Sequence, residues 1–237
     1  MVNRAIQRSG IDLRLQTELG EILDDGSGAV GGVHTKDGDH IPCQFVGLTA
    51  GVHPNITVVK DSPIETARGI KVDEQLRTTA PDVWAAGDCA HVHPTDGAPY
   101  LQQVWYTGRF QGEVAAANIL GDAVPYERGI WFNSAKFLDI EYQIYGEVPN
   151  RPSDGVQHLY WEHADGRKSL RIVHRDGVFI GLQTMGIRYR HRVCEEWIRR
   201  EATLDEVKRD LGRANFDPEF YTRHEAAIRS GLREVSP

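Results

Sequence analysis

The chain has 237 residues, 40% of them hydrophobic and 26% charged, with a formal net charge of -7. That size admits one large domain or two or three small ones, with enough apolar residues for a core. The negative charge and the lack of a long basic run argue against a nucleic-acid partner, and no apolar run approaches the length of a membrane span.

The start, Met1 to Arg4, leads into an amphipathic stretch and not into a signal-type apolar core, so a cytoplasmic location is expected. Val2 to Arg8 reads as the end of a helix, closed by Ser9-Gly10. Ile11, Leu13 and Leu15 alternate as on a half-buried strand. Glu21 to Leu23 and Ala29 to Thr35 read as two strands around a Gly-rich turn. Lys36-Asp37-Gly38-Asp39 carries the Asp-Gly hairpin signal, and His40 to Cys43 is the return strand. Phe45 to Ala50 is a short apolar run with the character of a buried strand.

Gly51-Val52-His53-Pro54-Asn55 marks a crossover. Residues 69–73 form another short strand. Thr78 to Pro81 is a loop, and Asp82 to Asp88 reads as a strand ending in a Gly-Asp turn. Residues 91–100 are polar and contain two prolines. From about Gln103 to Leu120 the pattern is helical and ends at Gly121, a helix-stop signal.

After Pro125 aromatic residues become frequent. Three strand-like runs follow, Gln157 to His163, Ser169 to His174 and Val178 to Met185, with Arg175-Asp176-Gly177 as a hairpin turn. Residues 190–201 and 203–212 read as helices, the second opened by a Thr203/Glu206 capping box. Asn215 to Phe220 starts a further short helix.

The three cysteines, Cys43, Cys89 and Cys194, are far apart and form no C-x-x-C pair, which argues against a disulfide framework and fits a reducing compartment. The basic stretch Arg188 to Arg192 reads as a solvated face before an anion site. His91 and His93 lack further ligands at recognisable spacing, and His191 with Cys194 favours packing, so no metal is expected. Asp139 and Glu141 are explained by strand alternation. Cys89 reads as a small core residue.

The segment that carries chemistry is Thr78-Thr79-Ala80-Pro81-Asp82-Val83-Trp84-Ala85-Ala86-Gly87-Asp88-Cys89-Ala90. Gly87 lets the backbone pass close to a ligand. The Asp88 carboxylate is suited to accept hydrogen bonds from ribityl or ribose hydroxyls. The N-terminal N–H groups of the helix near Gln103 carry partial positive charge, which can stabilise negative charge on a reduced flavin.

This string resembles the second FAD-binding motif of the pyridine nucleotide-disulfide oxidoreductase superfamily, which includes ferredoxin reductases and NADH oxidases. Phe45 to Asn55 is similar to the segment where such chains cross from the NAD domain back to the FAD domain. Gly69 to Asp73 is similar to the strand before the Thr-x-x-Pro loop. Gly112 and Ala115-Ala116-Ala117-Asn118-Ile119 are similar to the helix after the aspartate. The resemblance covers residues 1 to about 121.

It implies an α/β protein: a partial two-dinucleotide-binding (FAD/NAD(P)) fold plus a C-terminal α/β domain. Residues 1–50 would be the last part of the NAD(P)-binding domain. Residues 51–122 would close the FAD-binding domain, and 123–237 would be an interface or cap domain. It also implies FAD as cofactor and NAD(P)H as electron donor, with a small molecule or a redox protein as acceptor. Asp88, Gly87, Gly51, Gln102, Gln103 and Val104 are the implied cofactor-binding residues, and no catalytic base or nucleophile is required. Whether Trp131, Phe132 or Lys136 approaches the flavin stays open.

The chain departs from the superfamily in lacking a usable G-x-G-x-x-G fingerprint. Gly26-x-Gly28-x-x-Gly31 fits the bare spacing but sits between two short strands. The expectation is therefore a chain that starts inside the NAD domain, as a fragment, a split subunit or the product of a displaced start. An alternative is a non-catalytic assembly subunit that needs a partner chain carrying the Gly-rich motifs. A homo-oligomer is also compatible.

Overall fold

The computed structural model describes residues 1–216 and 222–235, and the chain divides into two compact units. The first runs from Val2 to His53 and the second begins at Pro54.

The first unit opens with helix α1 (Val2–Arg8) and continues as an antiparallel meander of β1 (Leu19–Asp24), β2 (Val30–Thr35) and β3 (His40–Pro42), in the order β1-β2-β3. Gly38 takes φ +94° in the second turn, as the Asp-Gly pair requires. Two expectations fail here. Ile11 to Leu15 forms no strand, and Phe45 to Ala50 is irregular and open to solvent, with Phe45 83% and Leu48 70% exposed. An apolar run becomes a strand only with a neighbouring backbone to bond and a face to bury. Among the described residues no strand pairs with 45–50.

The second unit holds two separate cores. The first is built on β4 (Ile70–Val72) and β5 (Ala90–Val92), paired parallel, with helix α2 (Trp105–Ile119) against them. Ile70, Val72, Leu76, Ala85, Ala90, Val92, Ala115 and Tyr126 fill it. α2 ends at Ile119 with Leu120 as its C-cap, and Gly121, the expected stop signal, follows at φ +101°.

The expected strand over Asp82 to Asp88 is not formed. Asp82 takes φ +59° in a turn, and only Trp84 makes a bridge, to Arg77. Gly87–Cys89 is a 3-10 turn, and regular pairing begins after it, at Ala90 opposite Ile70. The Gly-Asp pair therefore stands at the amino end of a strand, not at its carboxyl end. The physical reason is Gly87, whose φ of +82° turns the backbone out of extended geometry. His91, the first residue of the polar stretch 91–100, lies on β5 and is buried.

The second core belongs to a six-stranded antiparallel sheet. Its strands are β6 (Phe132–Phe137), β7 (Ile140–Gly146), β8 (Val156–Glu162), β9 (Ser169–Arg175), β10 (Val178–Met185) and β11 (Arg233–Glu234), in the order β11-β8-β9-β10-β7-β6. Helices α3 (His191–Arg199), α4 (Leu204–Ala214) and α5 (Glu225–Gly231) cover it. Leu159, Leu170, Ile172, Leu182, Trp197, Leu211 and Ile228 are among the residues sealed between sheet and helices. The Thr203/Glu206 capping box is present with both reciprocal bonds. The helix start expected at Asn215 to Phe220 falls mostly on residues 217–220, outside the described residues; Asn215 itself bridges to Tyr189.

Candidate functional site

The turn Gly87–Cys89 and the head of α2 are joined by one short hydrogen bond. The Gly87 N–H donates to Gln111 Oε1 at 2.7 Å. Gly87 and Gly108 face each other across this crossing: a Cβ added at Gly108 would stand 3.5 Å from Gly87 Cα, an ordinary van der Waals contact. Asp88, the middle residue of the turn, is exposed, and no side-chain hydrogen bond or ion pair is found for it among the described residues.

The head of α2 is open in the same sense. Its N-cap is Val104, in extended conformation, with no side-chain cap and no acidic residue in the first turn. The first intrahelical bond is donated by Gly108 to the Val104 carbonyl. The amides of Trp105, Tyr106 and Thr107 therefore precede the helical ladder, and the helix dipole adds partial positive charge there. Gln102 and Gln103 lie just before the cap, half-buried; the Thr107 hydroxyl donates to Gln102 Oε1 at 3.3 Å.

Five of the six residues implied by the resemblance, Gly87, Asp88, Gln102, Gln103 and Val104, thus lie on this turn and on the approach to this helix. Gly51 belongs to the first unit. It has φ +95°, and a Cβ there would meet nothing within 4 Å. Gln111 was missed by sequence reasoning. A glutamine inside a helix with no marked apolar face carries no local signal, and only the buried stripe Thr107, Gln111, Ala115, Asn118 reveals that it faces inward.

Beyond α2, Tyr106 reaches the C-terminal sheet. Its hydroxyl is 3.2 Å from Ser134 Oγ, and its ring centroid is 4.7 Å from that of Phe132. A cavity of about 890 Å³ opens beside Gln102, with Leu101, Ile130, Trp131, Ile180 and Ile198 on its walls. Trp131 and Phe132 therefore border the region beyond the helix head.

The remaining sequence features take other roles. His91 Nδ1 lies 3.2 Å from His93 Nε2, so the two imidazoles are partners for each other. Burial first, then His93, Arg68 and Lys71, push His91 below its ordinary range. Among the described residues no group of three or more His, Cys, Asp or Glu is placed to hold a metal ion. Cys194 is sealed in the core, and burial raises its thiol far above the ordinary value. Gly26 and Gly28 sit in the β1–β2 turn, where their amides donate to Asp24 Oδ1 at 2.5 and 3.3 Å. Those donors are already used, and a strand follows them, so this spacing makes no phosphate cradle.

Residues 1–112 match the family model described as pyridine nucleotide-disulphide oxidoreductase. Over this stretch the chain is similar to the pyridine nucleotide-disulphide oxidoreductases. It is 30% identical over 206 residues to the ferredoxin–NAD(+) reductase component of the p-cumate 2,3-dioxygenase system of Pseudomonas putida, covering 86% of this chain and 48% of that protein. The chain thus spans about half the length of this curated relative. The ferredoxin reductase of the CYP199A2 system of Rhodopseudomonas palustris superposes with a TM-score of 0.67 at 26% identity, covering 78% of this chain and 44% of that one. A NAD-dependent persulfide reductase from A. fulgidus shares the fold, with a TM-score of 0.72 at 20% identity over 88% of this chain and 42% of that one. The mixed helix and strand architecture is that of FAD/NAD-binding reductases. Among the described residues no helix is long and apolar enough to cross a membrane.

Proposed function

We propose that this chain supplies the second FAD-contacting segment and the C-terminal domain of a FAD-dependent NAD(P)H oxidoreductase, which passes electrons to a ferredoxin. The observation that carries this reading is an exposed carboxylate at Asp88, without a side-chain partner among the described residues, together with the uncapped head of α2. A flavin dinucleotide presents hydroxyl donors along its ribityl chain and an electron-rich ring edge. A carboxylate suits the first, and free helix amides suit the second. FAD, when bound, supplies the redox chemistry; the protein contributes binding, orientation and electrostatics.

In this reading Asp88 accepts from the ribityl hydroxyls, and Gly87 keeps the turn free of a side chain. Residues 101–104 and the first amides of α2 face the ring, and Gly51 lets the backbone pass close to the cofactor. Residues 1–50 act as the closing part of a NAD(P)-binding domain, 51–122 as that of the FAD-binding domain, and 123–237 as the cap. The ferredoxin partner is proposed because the named reductase relatives serve ferredoxin-dependent systems.

The test is the visible spectrum of the purified chain after FAD is added and the excess removed. Bands retained near about 370 and 450 nm, the usual positions for oxidised flavin, support the reading. A folded, colourless chain at saturating FAD refutes flavin binding by these residues.

A further inference from the structure

We infer that Gln111 is a positioning residue for this site: it sets the Gly87–Cys89 turn against α2 and so fixes the distance between Asp88 and the helix head. The inference rests on the reading that these two groups hold FAD.

Gln111 lies in the second turn of α2 and is 1% exposed. A primary amide buried on the inward face of a helix is costly unless its polar atoms are bonded. Here the oxygen takes the one N–H of the turn's first residue, at 2.7 Å. The other contacts that shape the turn are local: Ala90 N–H donates to the Gly87 carbonyl, and Cys89 Sγ approaches the Ala86 carbonyl at 3.6 Å. These bonds give the turn its shape without tying it to α2. The Gln111 bond does tie it, next to the Gly87/Gly108 crossing.

A dinucleotide that touches both Asp88 and the first amides of α2 needs the two held in one geometry before it arrives. Each degree of freedom left open is otherwise lost on binding, at a cost in affinity. Gln111 touches neither group. It acts through Gly87, one residue before Asp88, and from one helical turn beyond Thr107.

Three variants test this in the full chain. Gln111→Met keeps the length and volume but offers only a weak thioether acceptor. Gln111→Asn keeps the amide but withdraws it by one methylene. Gln111→Glu keeps an oxygen acceptor at the same reach. The readouts are the FAD dissociation constant from flavin fluorescence, hydrogen exchange at the Gly87 amide, and the melting temperature of the FAD-free protein.

The expected result is a loss of FAD affinity of about tenfold in Gln111→Met and Gln111→Asn, the size of one lost hydrogen bond in a preorganised site. Gly87 exchange should quicken in both, and Gln111→Glu should stay within about threefold of wild type. A melting temperature lowered equally in all three, with FAD affinity unchanged, overturns the inference and leaves a purely structural glutamine. So does equal loss in Gln111→Glu and Gln111→Met. If wild type binds FAD and Gln111→Met binds it as well, only this inference fails. If wild type binds none, the underlying reading fails and takes the inference with it.

Discussion

If Asp88 holds FAD as proposed, binding and folding can be separated at this residue. Its side chain is exposed and unpartnered among the described residues, so its removal takes no folded-state contact away. Asp88→Asn is expected to leave the melting temperature of the FAD-free protein within about 2 °C, since surface changes of this kind are usually within about ±0.5 kcal/mol. FAD affinity should fall about tenfold, because a neutral amide is a weaker acceptor from hydroxyl donors than a carboxylate. Calorimetry and a flavin titration on the same sample check both halves. Gly87→Ala should behave differently. At φ +82° a Cβ costs roughly 1 kcal/mol, so both stability and FAD binding should drop. At this scale the sequence was legible wherever residue type alone limits conformation or charge. Gly87 had to be permissive and Asp88 had to be an acceptor. Gln111 was not legible, because glutamine is at home on either face of a helix.

Helices α3 and α4 show how far a local pattern reaches. The capping box at Thr203 was readable because both partners lie within one turn of each other, so no tertiary context is needed to bring them together. Thr203→Ala is expected to destabilise the protein by about 1 kcal/mol in denaturant unfolding. The same element predicts a pH dependence. Glu206 is held down from its ordinary value of 4.5 to about 2, first by the Thr203 backbone N–H, then by Arg200 and the Thr203 hydroxyl. A carboxyl whose pKa is depressed by folding stabilises above its unfolded value and loses that contribution as pH falls through the folded value. The melting-temperature gap between wild type and Glu206→Gln should therefore be full above about pH 5 and shrink between about 4.5 and 2. A gap that stays constant down to pH 2 would exclude this carboxylate as its source. The stretches 11–15 and 45–50 mark the limit of local pattern. Alternation and apolar character state a preference for strand, but the ladder bonds must come from another segment.

The whole molecule depends on long-range closure. The second core joins strands and helices from residue 132 to 234, and Trp197 lies at its centre, wholly buried against Phe179. Trp197→Ala should cost about 3–5 kcal/mol, a large share of the roughly 5–15 kcal/mol that holds an ordinary domain folded. Circular dichroism melts would show it. The exposed, irregular run from Gln44 to Asn55 has few buried side chains and is the expected site of first cleavage in limited proteolysis. The stable product should begin near Pro54; an early cut inside 132–185 would contradict this.

The sequence by itself determined the features whose causes are local. These include the hairpin turns at Gly38 and Gly177, the extent and end of α2, and the capped start of α4. It also carried the family resemblance, which the match over residues 1–112 bears out. Only the tertiary structure decided what depends on distant neighbours. It placed the Gly-Asp turn before a strand and not after one, buried His91 against Lys71's strand, and left Phe45 to Ala50 unpaired. It also turned Gln111 inward to meet Gly87, 24 residues away in sequence. The reason is the same in each case. Backbone preference is set by a residue and its immediate neighbours, whereas pairing, burial and the partner of a buried polar atom are set by segments that meet only when the chain closes on itself.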